Sequence, residues 1–420
     1  MGNIFMTNNQ EVITFGCRLN IYESEIIKSN LAKSELNNVV VINSCAVTKQ
    51  AEKQAQQTIR KLKKEDPEKT IIVTGCAAQN TPELFASMKE VDKVIGNEEK
   101  LSDKYYHLDS ERVIVNDIMS IKETANHMIS SFDGKARAFM QVQNGCDHRC
   151  TFCMIPFGRG NSRSVPIGVI VDQVRLMVKE GYKEVVFTGV DVTAYGSDLP
   201  GSPTFAQMIR RLLSLVPELP RLRLSSIDVA EIDDDLFDLM AYNKTLMPHF
   251  HISLQAGDNL ILKRMKRRHT REQVVEFCRS LRKLRPEVSF GADIIAGFPT
   301  ENDDMFENTR KLISEAEIQY LHVFPYSERE GTPAARMPQV PMKIRKARAA
   351  ILREEGQKEL SKFFKQNIGK NVELLVEKNN MAHSESFIPV KLDGEFISGQ
   401  LLKAELISAD EKYMSVKIAS

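Results

Sequence analysis

The sequence predicts an α/β protein in three parts: an N-terminal doubly wound parallel α/β domain, a central (βα)6 partial TIM barrel, and a small C-terminal all-β barrel. Three observations predict it. Strand-like apolar runs alternate with helical patterns through the first third, the alternation restarts near residue 138, and the texture changes to short alternating segments after residue 366. The expected boundaries are 8–120, 132–362 and 363–420. A chain of 420 residues, 42% hydrophobic and 27% charged, is long enough to bury several cores. Its formal net charge of +1 excludes polyanion binding by bulk charge, so any nucleic-acid surface must be local. The sequence shows no run of 18 apolar residues, and no signal peptide is expected. A cytoplasmic protein without a membrane partner is expected, starting at Met1 or Met6.

In the first part, "EVITFGC" (11–17), "NVVVINSC" (38–45) and "TIIVTGC" (70–76) read as strands, each followed by a helical pattern. "DKVIGN" and "ERVIVND" continue the series. Continuous apolar runs joined by helices imply parallel strands, whose carboxyl ends share one rim. Cys17, Cys45 and Cys76 each close one of these runs, so three thiols are expected at that rim. In a reducing compartment such thiols serve metal binding more readily than disulfides.

A linker is expected over 121–137. Strands are then expected at 138–146, 184–190, 221–227, 249–255, 288–298 and 320–327, too few for an eight-fold barrel. Residues 341–366 read as one long helix carrying eight basic residues against three acids. The last 55 or so residues alternate apolar and polar, with turns at Asn379–Asn380 and Asp393–Gly394. Cys278 falls in an amphipathic helix and is expected in the core.

The stretch "GCDHRCTFC" (145–153) places Cys146, Cys150 and Cys153 at gaps of four and three positions. Structural zinc needs a fourth ligand, and His148, wedged between the others, is poorly placed to close a tetrahedron. A [4Fe–4S] cluster that only carries electrons takes four thiolates. Three thiolates leave one iron open to a small molecule.

This motif, in a loop after the first strand of a βα repeat, resembles the radical S-adenosylmethionine (SAM) family. The resemblance implies that the amine and carboxylate of SAM chelate the open iron, and that electron transfer cleaves SAM to a 5′-deoxyadenosyl radical. It implies cofactor contacts at successive strand ends. These are Thr188, Gly189 and Asp191 of "TGVD", Ser225, Ser226 and Asp228 of "SSID", Gln255 of "HISLQAGD", and Ile295 and Gly297 of "DIIAGFPTE". In the last of these Asp293 stands where the family has glycine.

With a cysteine triplet before this core and a β-barrel after it, the whole chain resembles the methylthiotransferases. Cys17, Cys45 and Cys76 would then hold a second [4Fe–4S] cluster that carries the sulfur, and the terminal module would be a TRAM-like barrel. "TFGCRLNIYES" and "CTFCMIPFGRGNSRSVP" resemble the branch acting on N6-threonylcarbamoyladenosine next to the anticodon of tRNA. The other branches act on N6-isopentenyladenosine or a ribosomal-protein aspartate; a non-catalytic zinc-dependent RNA-binding protein is the remaining reading. A flavodoxin- or ferredoxin-type electron donor and a monomer are expected. Arg159 and Arg163 are expected to meet the substrate carboxylate, a phosphate or solvent. "LKRMKRRHTR" (262–271) offers Lys263, Arg264, Lys266, Arg267 and Arg268 with no acid between them, and is expected to track phosphates. The terminal module has seven lysines, no arginine and eight acids from Phe363 onward, so its RNA contacts are expected to be stacking by Phe387, Phe396 or Tyr413.

Overall fold

The computed structural model describes residues 9–109, 111–122 and 136–419. Residues 123–135 of the expected linker lie outside the described residues, as do Met1 and Met6. The chain separates into two compact units. The first is the N-terminal part with Gln143–Arg149 and Cys153–Ser164; the second is the rest.

In the first unit five parallel strands, β1 (Gln10–Thr14), β2 (Val39–Ser44), β3 (Thr70–Gly75), β4 (Lys93–Ile95) and β5 (Val113–Ile114), lie side by side in chain order. The sheet is covered on both faces, because β2 and β3 are apolar at every second position on each side. Val39, Val41 and Ile72 pack under α1 (Arg18–Lys33). Val40, Ile42, Ile71 and Val73 pack against α2 (Lys49–Glu65), α3 (Cys76–Asn80) and α4 (Pro82–Ala86). The site-forming rim here is the shared carboxyl edge of β1, β2 and β3. A short ribbon, β7 (Gln143–Asn144) with β8 (Arg163–Ser164), and α5 (Ile155–Arg159) complete this unit.

In the second unit β6 (Ala138–Gln141), β9 (Glu184–Thr188) and β10 (Arg221–Leu224) form one parallel sheet. β11 (His249–Gln255), β12 (Ser289–Ala296) and β13 (Tyr320–Pro325) form another. A parallel bridge between Ile227 and Ile252 joins them, giving an open array of six strands. Helices α6 (Ile167–Lys179), α7 (Phe205–Leu215), α8 (Asp234–Tyr242), α9 (Asn259–Arg264), α10 (Arg271–Leu284) and α11 (Asp303–Glu315) lie between the strands in sequence. Cys278 is fully buried in α10, where burial pushes its thiol up to about 12. Helix α12 (Met342–Asn367) then leads to a closed barrel of β14 (Asn371–Val376), β15 (Met381–His383), β16 (Pro389–Lys391), β17 (Leu401–Ala409) and β18 (Met414–Ile418).

The barrel seals the amino-terminal foot of the six strands. Glu184, the first residue of β9, is fully buried between Arg223 (3.0 Å) and Arg137 (2.9 Å). Arg221 reaches Glu373 of the barrel at 2.9 Å, Arg223 donates to the Glu385 carbonyl, and Ser289 Oγ donates to the Ser386 carbonyl at 2.6 Å. Phe387 stacks on His249 with centroids 4.8 Å apart and meets Tyr320 edge-on. Its φ of +66° is costly for a non-glycine residue and is held by this packing. Phe387 is therefore committed to the foot of the core, which corrects the expectation that it stacks on RNA bases. Among the described residues no helix is long and apolar enough to cross a membrane.

Candidate active site

The N-terminal triplet forms as the strand pattern requires. Cys17 caps α1, Cys45 directly follows β2, and Cys76 is the first residue of α3. No disulfide joins any of the seven cysteines. Two glycines make the approach possible. At Gly16 (φ +97°) a Cβ would lie 2.8 Å from Cys45 Sγ, and at Gly75 (φ +94°) it would strike the Ser44 backbone at 2.3 Å. Asn20 Nδ2 donates to the Phe15 carbonyl (2.7 Å) and the Ser44 carbonyl (3.1 Å), tying the first two cysteine loops together.

Behind these thiols lies a buried charge network. Arg159 is 2% exposed, donates from Nε to Cys76 Sγ at 3.1 Å, and spends its other nitrogens on Glu23 and Asn20. Lys100, fully buried, bonds Glu23 at 2.6 Å and Asn97 at 2.7 Å. Burial alone would raise the Glu23 carboxyl, but Arg159 and Lys100 hold it below the ordinary range. Arg159 and Lys100 thus share the Glu23 carboxylate, burial holds the Lys100 ammonium below its ordinary range, and the Arg159 guanidinium lies against Cys76. An anionic thiolate-bound cluster at Cys17, Cys45 and Cys76 fits this environment. Burial pushes the Cys45 thiol up to about 12, so a metal must displace its proton on binding. Arg159 is therefore part of the thiol site rather than a contact for the substrate carboxylate, which corrects the sequence expectation. Arg163 is also buried and donates to the Arg159 and Asn161 carbonyls at 3.1 Å, so the same correction applies to it.

The loop between β7 and α5 carries Cys146, Cys150 and Cys153. In the first unit the Cys146 amide donates to the Gly160 carbonyl, and Cys153 Sγ accepts from the Ile155 amide at 3.4 Å. In the second unit Thr151 is clamped beside Cys150, donating from its amide to the Met265 carbonyl and from Oγ1 to the Arg264 carbonyl. Arg267 places Nη1 3.6 Å from Cys150 Sγ, while its Nη2 bonds Asp228 Oδ2 (3.0 Å) and the Ser253 carbonyl (2.9 Å). Asp228, 4% exposed, also meets Arg268 and His269. Burial would raise its carboxyl, yet His269 and Arg267 hold it well below the usual carboxylate range.

This geometry corrects the reading of "LKRMKRRHTR" as an unbalanced basic run. Its acids come from β10's loop: Arg267 turns inward to Asp228, and Arg268 pairs with Asp228 and Glu231. Arg264 is tied to Thr300 at 2.8 Å, while Lys263 and Lys266 are exposed. In α12, Arg345 is buried on the Val340 and Tyr326 carbonyls and Arg348 on Glu301, so they leave the expected RNA surface too.

The remaining predicted residues cluster where the strands end. Thr188 and Asp191 are buried and Gly189 is half-buried after β9. Ser225 is 9% exposed, and its buried Oγ has no hydrogen-bond partner among the described residues. Such an orphaned hydroxyl, beside half-buried Ser226, fits a polar ligand seated there. Gln255 takes a left-handed φ of +70°, and Ile295 is half-buried on the same side of the array. Gly297 takes a left-handed φ of +70°, and a Cβ there would lie 2.7 Å from Arg345 Cγ. Both oxygens of Asp228 are taken by protein donors, which makes it the residue that positions Arg267. Sequence reasoning missed Asn20, Glu23 and Lys100. A signal existed for two of them: Cys17, Asn20 and Glu23 recur every three residues along one face of α1, where apolar residues are expected.

The chain matches the Radical SAM superfamily over residues 140–313 and the Uncharacterized protein family UPF0004 over residues 9–96. It is 69% identical to the Threonylcarbamoyladenosine tRNA methylthiotransferase MtaB of Rickettsia prowazekii (strain Madrid E), covering 99% of each chain. The chain belongs to the MtaB methylthiotransferase family. The MtaB of Aquifex aeolicus (strain VF5) is 36% identical, covering 93% of this chain and 98% of that one. A tRNA-2-methylthio-N(6)-dimethylallyladenosine synthase of Halalkalibacterium halodurans is 33% identical over 81% of this chain and 66% of its own. Among solved structures, the radical SAM methyltransferase TsrM of Kitasatospora setae shares the fold, with a TM-score of 0.57 at 12% identity over 78% of this chain and 76% of that one.

Proposed function

We propose that this MtaB-family protein methylthiolates C2 of N6-threonylcarbamoyladenosine in tRNA, using SAM and two [4Fe–4S] clusters. Three parts are assigned: a cluster-binding methylthiotransferase domain (8–120), a radical SAM core (132–362) and a TRAM-like barrel (363–420). Family membership sets the reaction class, and one observation carries the two-cluster reading: the buried Arg159 guanidinium set against a second group of three thiols. We assign Cys17, Cys45 and Cys76 to one cluster and Cys146, Cys150 and Cys153 to the other. When bound, the clusters supply an electron for SAM cleavage and an open iron for sulfur, which an aromatic C–H bond requires because polar acid–base chemistry does not replace it.

The protein's own residues hold and orient. Arg159 and Arg267 direct N–H groups at Cys76 and Cys150, a type of contact that tunes thiolate-bound metals. Ser225 offers an unpaired hydroxyl to the SAM region. Lys263 and Lys266 supply exposed charge for the RNA backbone. We further assign a flavodoxin- or ferredoxin-type electron donor, a monomeric state and a cytoplasmic location.

The deciding experiment is the tRNA nucleoside profile of a deletion strain. Loss of the 2-methylthio derivative of N6-threonylcarbamoyladenosine is expected; loss of the isopentenyl derivative instead, or of a ribosomal-protein modification, overturns the reading. The protein reconstituted anaerobically should hold about eight iron and eight sulfide per chain. Saturation at about four removes the second cluster.

A further inference from the structure

The inner face of the second sheet carries a polar cluster that none of the assignments above uses. Burial alternates along β11 and β12, so His251, Ser253 and Gln255 share one side with Asp293 and Ile295, and His322 and Phe324 of β13 join them. His251 Nε2 lies 3.0 Å from Asp293 Oδ1, and His322 Nδ1 lies 3.2 Å from the same oxygen. The two imidazoles are 4.8 Å apart, and His322 is 61% exposed. Gly291, opposite His251 in register, has no side chain to exclude the ring: a Cβ there would lie 2.4 Å from Nδ1. The site is therefore built, and it is open on one side.

Its position is informative. Ser253, whose carbonyl accepts from Arg267 beside Cys150, is two residues along β11 from His251. Two residues of strand span about 6.6 Å, so the trio lies one side-chain step from the group that touches Cys150. Two residues beyond His322, on the same side of β13, Phe324 is a 43% exposed ring.

Its chemistry is specific. Asp293 Oδ1 is shared by two histidines, and Oδ2 has no partner among the described residues. A free carboxylate oxygen accepts from a hydroxyl. Imidazole N–H groups, above all on the exposed His322, donate to a carboxylate. Hydroxyl and carboxylate on neighbouring carbons make up the polar end of a threonylcarbamoyl group, whereas an isopentenyl group offers neither. We propose that His251, Asp293 and His322 form the receptor for a β-hydroxy carboxylate carried on an adenine base, with Phe324 stacking on that base. This rests on the substrate reading above and deepens it, by naming the residues that separate the two substrate classes.

The test uses anaerobically reconstituted enzyme and anticodon stem-loops bearing threonylcarbamoyladenosine, isopentenyladenosine or plain adenosine. The readout is the ratio of Kd values, since a general loss of fold weakens all three RNAs alike. The native enzyme should prefer the threonylcarbamoyl stem-loop over plain adenosine by about tenfold or more. His322→Phe and Asp293→Asn should bring that ratio to within about twofold. Retention of the preference in both variants overturns the proposal while leaving the substrate reading intact. Native enzyme that methylthiolates the isopentenyl stem-loop instead overturns the substrate reading itself. A non-iron metal ion present at one per chain and lost in His322→Phe also overturns the proposal, because two histidines and a carboxylate are then a metal centre.

Discussion

Arg159 shows how much one side chain decides. It is a cation buried against a thiol, with Glu23 and Asn20 as its other partners. Replacing it with glutamine removes the charge and the donor together. The expected result is a protein that keeps about four of its eight irons, because losing a group that supports metal ligands weakens binding on the order of 10–100-fold. Arg159→Lys should recover part of the iron, since it restores the charge without the planar fork. Iron analysis of the two variants checks this; full iron in Arg159→Gln would show that the residue only packs. Arg267 should act on the other triplet. Arg267→Ala leaves buried Asp228 to Arg268 and His269 and takes the N–H away from Cys150. SAM cleavage without RNA is expected to fall, while iron held by the N-terminal thiols is unaffected. None of these partnerships could be read from the chain, since Arg159 lies 136 residues from Glu23 and Arg267 lies 39 residues from Asp228. Cys146, Cys150 and Cys153 were legible because their spacing is local, and Cys17, Cys45 and Cys76 because each closes an apolar strand run.

At the scale of elements, the foot of the six-strand array gives a prediction in pH. Burial would raise the Glu184 carboxyl, but Arg223 and Arg137 lower it to about 2, against 4.5 for an ordinary glutamate. A depressed carboxyl stabilises the fold above pH 4.5, and the contribution is lost as pH falls from there toward 2. About 3 kcal/mol is at stake. Glu184→Gln should be less stable than the native protein at neutral pH and should lose less on acidification through that window. Denaturant midpoints at pH 7 and pH 3 measure both. Phe387 is half-buried, so Phe387→Ala should cost about 1–3 kcal/mol, less than a fully buried phenylalanine, without altering SAM chemistry at the far ends of the strands. The elements themselves were largely legible: β2 and β3 as continuous apolar runs, and the closing barrel as alternating segments. The docking of that barrel was not, because Glu184, Arg221 and Arg223 look like ordinary charged strand residues until their partners are in place. Likewise β6 ends at Gln141 rather than running on to Cys146, since the next pairing belongs to β8.

For the whole molecule the question is which cations RNA meets. Six basic residues in "LKRMKRRHTR" suggested a continuous stripe, but side-chain direction divides it. Lys263 and Lys266 face solvent, while Arg267 faces Cys150. Lys263→Ala/Lys266→Ala should lower the slope of log affinity against log salt by roughly one to two units. Arg267→Ala should leave that slope unchanged. Filter binding across a salt series distinguishes them, and the reverse pattern would return the arginine to the RNA surface.

The sealed foot also bears on how the chain is made. The last strand of the parallel array ends at Pro325, but the barrel closes only when β18, ending at Ile418, has been made. At the usual 5–20 residues per second, a ribosome needs roughly 5–20 s to cross that distance. For that interval Arg221, Arg223 and Glu184 wait with their lid unsynthesised. A nascent chain stalled before β18 should therefore show a protease-sensitive core that becomes resistant once synthesis finishes.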